Sequence, residues 1–174
     1  MLAEPRRTVA LGLAVALLVF PGRVDAQPDD SDDFRYGNAG TSEVSLLLGF
    51  SSDALAVGGG FRYFVVDGVA PGLETAFTRA DGFTQGFAFP SVRVVPLRLD
   101  SFALVVTARA GRVFLSQHRD GWAYGGDAGV LIFLSRHVGL ELGYELLKLG
   151  PTAFCADLSS CLLRRPVFGV RIAF

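Results

Sequence analysis

Apolar and non-apolar residues alternate one by one along most of this chain, and that period of two leaves few folds open. The clearest stretch is HVGLELGYELL, residues 137–147, in which alternate residues are bulky and apolar. Successive side chains of an extended strand point to opposite faces, whereas a helix repeats its apolar residues every three to four positions. Each such stretch is therefore predicted to be a β-strand with one apolar face.

Eight stretches of this kind follow one another, separated by turn residues. They are EVSLLLGF (43–50), LAVGGGFRYFV (55–65), VAPGLETAFTR (69–79), GFAFPSVRVVPL (86–97), FALVVTARAGRVF (102–114), WAYGGDAGVLIFL (122–134), HVGLELGYELL (137–147) and RRPVFGVRIAF (164–174). The fourth is less regular because of its prolines and phenylalanines. Eight alternating strands in series predict an all-β protein, an eight-stranded antiparallel up-and-down transmembrane β-barrel over residues 43–174.

The residues opposite the apolar face indicate which solvent surrounds the barrel. With the bulky apolar residues outward, four positive and four negative side chains lie inside: Arg62, Glu74, Arg93, Arg109, Asp127, Glu141, Glu145 and Arg171. A water-soluble barrel would carry its charges outside, so this inverse arrangement predicts hydrocarbon outside. Eight strands enclose a space that side chains can fill, and opposite charges held there must pair. The interior is therefore predicted to be a closed charge network.

The first residues predict export. Arg6 and Arg7 precede the apolar run TVALGLAVALLVF, and the segment PGRVDA that follows it ends at Ala26. A positive start, a short apolar core and a small residue at the cleavage site describe a secretory signal peptide over residues 1–26. Residues 27–42 contain several aspartates without periodicity and are predicted to be a flexible acidic leader. A formal net charge of −1 for the whole chain gives no reason to expect a nucleic-acid partner.

The connections differ in length between the two ends of the predicted barrel. The links after the second, fourth and sixth strands are short, whereas those after the fifth and seventh are longer, and both chain ends lie on the short side. Outer-membrane barrels have short periplasmic turns and longer outside loops. The outward charges Arg79 and Arg112 come near strand ends, where an arginine costs little in a bilayer.

The last strand carries a further pattern, because Phe168, Val170, Ile172 and Phe174 share one face. This pattern resembles the C-terminal signature of outer-membrane β-barrel proteins, in which a terminal aromatic strand is recognised by the barrel-assembly machinery. With its eight strands and signal peptide, the chain resembles the small barrels of the OmpA/OmpX type. The resemblance implies a monomer in the outer membrane of a Gram-negative-type cell, in contact with outer-membrane lipid and lipopolysaccharide. No peptidoglycan-binding domain follows the barrel, so a wall-tethering role is not implied.

Two cysteines, Cys155 and Cys161, lie in the longest connection. Export into an oxidising compartment predicts a disulfide between them, with two free thiols as the alternative. A metal site would need further ligands, and Asp157 is the one acid nearby, so neither a metal nor a cofactor is predicted.

Residues suited to catalysis are few. The loop SQHRDG holds Ser116, His118 and Asp120, and some small outer-membrane barrels are lipid A-modifying enzymes with such residues at the outer rim. A polar loop tip is the favoured interpretation, because proximity in sequence does not guarantee the hydrogen bond that activates a serine. His137 is followed two positions later by glycine, so the His-x-Ser pair of the barrel-type lipid A 3-O-deacylases is missing. Glu141 and Glu145 share one face and could serve acid–base chemistry; pairing with Arg109 and Arg171 is favoured.

The sequence therefore predicts an integral outer-membrane barrel with a structural or surface-interaction role and no assigned catalytic residue. Three alternatives stay open: a lipid A-modifying outer-membrane enzyme, a narrow channel for small solutes gated by the interior pairs, and a soluble lipocalin-like binder.

Overall fold

The computed structural model describes residues 35–51, 54–80, 83–115, 121–150 and 162–174, which form eight strands. They are β1 (Ser42–Ser51), β2 (Ala54–Tyr63), β3 (Val69–Ala80), β4 (Phe83–Arg98), β5 (Phe102–Leu115), β6 (Gly121–Phe133), β7 (Val138–Leu149) and β8 (Leu162–Ala173). In this part of the chain no helix is long and apolar enough to cross a membrane.

The strands close into a barrel in which each pairs antiparallel with its neighbours in sequence, and β1 pairs with β8. At this seam Val44 lies opposite Ile172 and Leu48 opposite Phe168. Both members of each pair are apolar and face outward, so the seam continues the outer surface without a break. The predicted eight-stranded antiparallel up-and-down barrel is confirmed.

The two ends of the barrel are built differently. The terminus end carries the start of β1, the end of β8 and the turns 64–68, 99–101 and 134–137, whereas the loop end carries the ends of β1, β3, β5 and β7 and the starts of β2, β4, β6 and β8. The longest stretch of sequence between two strands, from the end of β7 at Leu149 to the start of β8 at Leu162, is bounded by two strand ends at the loop end.

Inward and outward faces alternate as the sequence pattern requires. On β8 the side chains of Phe168, Val170 and Ile172 are exposed, whereas Val167 and Arg171 on the other face are buried inside the barrel. The other strands alternate in the same way, apart from an interruption on β4, so the outer surface of the barrel is mainly apolar and the buried charges lie inside.

A β-bulge explains why the fourth segment of the sequence is irregular. The register of β4 against β5 shifts between Val94 and Leu97, around Pro96, which has no N–H to donate to a ladder. The extra residue leaves both Val94 and Leu97 on the exposed face, although strict alternation would place them on opposite faces.

The interior has three layers along the barrel axis. On β5 the inward side chains run from the terminus end in the order Ala103, Val105, Thr107, Arg109, Gly111 and Val113. One apolar cluster fills the terminus end, with Tyr36, Phe64, Ala70, Ala103, Val105, Leu131 and Ala173, and a second fills the loop end, with Phe87, Phe89, Val113, Ala123 and Leu147. The charged residues lie between these two clusters.

The segment before β1 differs from the flexible leader that the sequence predicted. Residues 27–34 lie outside the described residues, but residues 35–41 fold against the terminus end. The amide of Gly40 donates to the carbonyl of Phe64 at 2.8 Å, and the ring of Tyr36 is buried 5.4 Å from that of Phe64. The aromatic contact and the backbone bonds hold this stretch in place, so the packed part of the chain begins before Ser42.

Two neighbours on β6 test the assignment of inside and outside. Leu131 is fully buried, whereas Ile132 is 42% exposed on the outer face. Leu131→Ala should lower the free energy of unfolding by about 2–5 kcal/mol because it leaves a cavity in a packed cluster. Ile132→Ala should cost clearly less, since detergent or lipid fills the vacated space.

The measurement is urea unfolding of the detergent-folded barrel, followed by the fluorescence of Trp122. Equal losses of stability for the two variants would contradict the assigned faces.

Candidate functional site: the charged barrel interior

Ten charged side chains are buried inside the described part of the barrel, five arginines and five carboxylates. They are Glu43, Arg62, Glu74, Arg93, Arg109, Asp127, Glu141, Glu145, Arg165 and Arg171. The eight residues assigned to the interior from the sequence are all among them. Glu43 and Arg165 are additional, and they keep the numbers of opposite charges equal.

Glu43 on β1 is the centre of the group nearer the terminus end. Its Oε1 lies 2.5 Å from Nη1 of Arg62 and 3.8 Å from Nη1 of Arg171, and its Oε2 lies 3.4 Å from Nη1 of Arg93. Three arginines from β2, β4 and β8 thus converge on one carboxylate, which requires further acids to balance them.

Glu141 on β7 supplies part of that balance. Its Oε2 lies 2.8 Å from Nη1 of Arg93 and 2.6 Å from Nε of Arg171. Nε of Arg93 also donates to the hydroxyl of Thr107 at 3.2 Å. Charge-assisted bonds of this kind are among the stronger hydrogen bonds in proteins.

Tyr36 joins this group from outside the strands. Its hydroxyl donates to Oε2 of Glu43 and accepts a hydrogen bond from Nη1 of Arg93 at 3.3 Å. Burial raises the pKa of the Tyr36 hydroxyl, so the phenol stays protonated and can donate. The segment before β1 is therefore tied into the charge network as well as into the apolar cluster.

Arg109 on β5 is the centre of the group nearer the loop end. Its Nη1 lies 3.0 Å from Oε2 of Glu74 and 2.9 Å from Oε1 of Glu145, and its Nη2 contacts Asp127. The other carboxylate oxygen of Glu145 accepts from Nε of Arg165 at 2.5 Å.

One carboxylate, that of Glu74, joins the two groups into a single network. Glu74 on β3 contacts Nη2 of Arg62 in one group through Oε1, and Arg109 in the other through Oε2. The network reaches all eight strands. Seven of them are linked through the ion pairs of four glutamates with arginines on other strands, and Asp127 adds β6; the glutamates are Glu43, Glu74, Glu141 and Glu145.

Small residues make room for the long arginine side chains. A Cβ atom on Gly72 would lie 2.4 Å from Cγ of Arg62, and one on Gly49 would lie 3.1 Å from Nε of Arg165. A cavity of about 20 Å³ lies beside Glu74, Arg109, Glu145 and Arg165, which is room for about one water molecule.

The network is built for charge pairing. Each of its five carboxylates is in ion-pair contact with an arginine, so none has the environment of a free general base. Within the described ranges no group of three or more His, Cys, Asp or Glu residues is placed to hold a metal ion.

The remaining predicted residues fall into two sets. Phe168, Val170, Ile172 and Phe174 are exposed on one outer face. The second set lies outside the described residues: Cys155, Cys161, the loop with Ser116, His118 and Asp120, and the signal peptide. The disulfide, the loop chemistry and export therefore stay predictions.

Three residues of the network were not predicted from the sequence: Glu43, Arg165 and Tyr36. Glu43 and Arg165 have the same parity as the inward residues of their strands, so strict alternation could have found them. Tyr36 lies in a stretch without periodicity, and no local pattern marks it.

Solved structures similar to this chain include outer-membrane barrels. The N-terminal β-barrel domain of OprF from Pseudomonas aeruginosa covers 78% of this chain and 98% of its own, with 13% identity and a TM-score of 0.62. Neisserial surface protein A covers 77% and 95%, with 14% identity and a TM-score of 0.54. The outer membrane enzyme PagL covers 75% and 98%, with 13% identity and a TM-score of 0.51.

No protein-family model and no curated protein matches the chain. At the identities of the solved structures, the likeness is one of fold. The chain thus has the fold of the small eight-stranded outer-membrane β-barrels.

Glu141 offers the sharpest test of the network. Glu141→Ala should lower the free energy of unfolding by about 3–5 kcal/mol, because it leaves Arg93 and Arg171 buried with too little negative charge. Lys148→Gln, on the outer face of the same strand, should change it by about 0.5 kcal/mol or less. Urea midpoints in detergent measure both, and a neutral Glu141→Ala would contradict a closed charge network.

Proposed function

We propose that this chain is an integral outer-membrane β-barrel with a closed, charge-paired interior and a structural or surface-interaction role. The observation that carries the proposal is the inversion of polarity across the barrel wall, with apolar side chains outside and ten charged ones inside. Water-soluble monomers rarely expose large continuous apolar surfaces. A hydrocarbon surrounding removes that cost, and transmembrane barrels carry an outward apolar band of this kind.

Aromatic side chains at both ends support insertion in a bilayer. Tyr63 and Phe174 are exposed near the terminus end, and Phe114 and Trp122 are exposed near the loop end. Aromatic girdles at the two interfaces are typical of transmembrane barrels. Their separation along the strands leaves a mainly apolar band between them.

The two ends suggest an orientation. Barrels of this class have short periplasmic turns and longer loops outside, and the longest connection here, residues 150–161, is at the loop end. In the proposed orientation the terminus end faces the periplasm and the loop end faces the cell exterior.

A closed interior is favoured over a channel. The charges are paired, an apolar cluster lies on each side of them, and the cavity beside Arg109 holds about 20 Å³. A continuous water path would have to separate these ion pairs, each of which is costly to break inside a protein.

Gel mobility in SDS tests the proposal directly. The purified unboiled protein should migrate apart from the boiled protein, since a closed barrel resists SDS until heat unfolds it. In a planar bilayer the same preparation should give no regular single-channel steps. Protein diluted from urea without detergent is the control and should show no mobility shift.

Absence of the shift, with the protein recovered in the aqueous fraction, would overturn the membrane assignment. A regular conductance would instead favour the channel alternative.

The proposal also includes export by the signal peptide, residues 1–26, and recognition of β8 by the barrel-assembly machinery. Phe174 is exposed on the same face as Phe168, and its backbone bonds to Ser42 across the seam at 3.0 and 2.8 Å. A side chain that contributes to the outer surface but not to interior packing is suited to recognition.

Phe174→Ala should therefore lower the amount of heat-shifting barrel in cell outer membranes severalfold, while the purified variant still refolds in detergent. Phe77→Ala, at a similarly exposed position on β3, is the matched control and should assemble normally. Equal assembly of the two variants would contradict a special role for Phe174.

A further inference from the structure

The two ends of the barrel interior are filled in different ways. At the loop end the strands themselves supply large side chains to the apolar cluster: Phe87, Phe89 and Leu147. At the terminus end β3, β5 and β8 each point an alanine inward: Ala70, Ala103 and Ala173. The space that these small side chains leave is filled by the ring of Tyr36, which belongs to residues 35–41. We call residues 35–41 the plug.

The side chain of Tyr36 separates the terminus mouth from the charge network. Its ring centroid lies 5.4 Å from that of Phe64 and 5.6 Å from that of Phe133. Its hydroxyl contacts Glu43 and, at 3.3 Å, Nη1 of Arg93. Closure of this end therefore depends on a side chain that no strand carries.

The plug is held by a small number of hydrogen bonds at the rim of the barrel. Nη1 of Arg98 donates to the carbonyl of Tyr36 and to Oδ1 of Asn38, both at 2.7 Å. Three further bonds of 2.8 Å join the plug to the turn 64–68: Gly40 N–H to the carbonyl of Phe64, Gly68 N–H to the carbonyl of Gly37, and Ala39 N–H to the carboxylate of Asp67. These bonds can break together without disturbing any strand ladder.

One side of the plug is not packed against the barrel wall. A cleft of about 240 Å³ opens there, and it is lined by Tyr36, Gly37, Asp67, Gly68, Val95 and Arg98. The plug can therefore move without first displacing a strand.

Gly40 lies where the plug joins β1. Its φ is +89°, and a Cβ atom on it would have no other atom within 4 Å. Glycine adopts positive φ without steric cost and changes its dihedral angles easily. The chain can therefore turn at this residue while Ser42 and the rest of β1 stay paired with β2 and β8.

We propose that the plug is a hinged gate, which turns outward about Gly40 and admits water to the terminus end as far as Glu43 and Arg93 while the loop-end cluster stays closed. The inference rests on the proposed function, in whose orientation this mouth faces the periplasm. Opening exposes apolar surface, but it restores water to buried charges at the floor of the chamber, which offsets part of the cost. The open form is a blind chamber and not a channel.

The first experiment measures water access at two matched positions on β5. Val105 and Val113 both point inward and are both 1% exposed, but Val105 belongs to the terminus-end cluster and Val113 to the loop-end cluster. Val105→Cys and Val113→Cys are made separately in the full chain with Cys155→Ser and Cys161→Ser, so each protein has one thiol. The detergent-folded proteins are treated with a small, charged methanethiosulfonate, and the rate of modification is followed by mass spectrometry.

Gly40→Ala should speed the modification of Val105→Cys about tenfold and leave that of Val113→Cys unchanged. Alanine is strained at a φ of +89° in the closed plug, and turning about this residue releases the strain. Gly86→Ala is the control, because its added Cβ would meet its nearest atoms at the ordinary distance of 3.5 Å or more; it should change neither rate. An unchanged rate for Val105→Cys would overturn the gate, and equal acceleration at both positions would show general loosening of the barrel instead.

The second experiment needs no substitution and so stands even if Gly40→Ala does not fold. Amide hydrogen exchange of the wild-type protein should give one common opening constant for Ala39, Gly40 and Gly68, at least about tenfold larger than that of Thr107 within β5. Unrelated constants for the three amides would overturn movement of the plug as a unit.

The heat-dependent mobility shift separates the gate from the proposed function. A wild-type protein without the shift would remove the proposed function itself. A protein with the shift, but with no acceleration at Val105→Cys and no common opening constant, would remove the gate alone.

Discussion

The pairing of buried arginines with buried carboxylates is the interaction on which this structure depends. A lone charge inside a narrow barrel is destabilising by several kcal/mol, because it loses its hydration without compensation. Here five arginines and five carboxylates meet, and Glu43 and Arg109 each contact three partners. The inward glycines, the alternation of the strands and the closed ends all serve this arrangement. Without pairing, the same residues would be buried charges with no compensation for their lost hydration.

The inner and outer surfaces of the barrel wall contribute to the stability of the fold in different ways. Packing holds most soluble domains together from within, whereas here the apolar clusters of the interior occupy only the two ends. The large apolar surface lies outside, where it favours a lipid surrounding. Stability inside therefore depends on charge geometry in the middle and on packing at the ends, and specificity for a membrane depends on the outer face.

Much of this could be predicted from the sequence, because a period of two gives both the strand and its faces. The eight strands, their order and the eight interior charges named from alternation all occupy the expected faces. The pattern was less informative where both faces are apolar: Leu131 and Leu147 point inward beside outward Ile132 and Leu146. The bulge at Pro96 reversed the parity locally, and the burial of Tyr36 depends on contacts with distant strands that no local pattern encodes.

The position of Glu43 on the first strand has a consequence for how the sheet can roll up. Its partner Arg62 is on the adjacent strand, but Arg93 is on β4 and Arg171 on β8, so two of its three contacts exist only after the sheet has curved round and its edges have met. Glu141 on β7 likewise reaches back to Arg93. A half-rolled sheet would hold these charges apart in a poorly hydrated space. The last step of closure therefore brings several buried charges to their partners at once, and the meeting of β1 and β8 completes the contacts of Glu43.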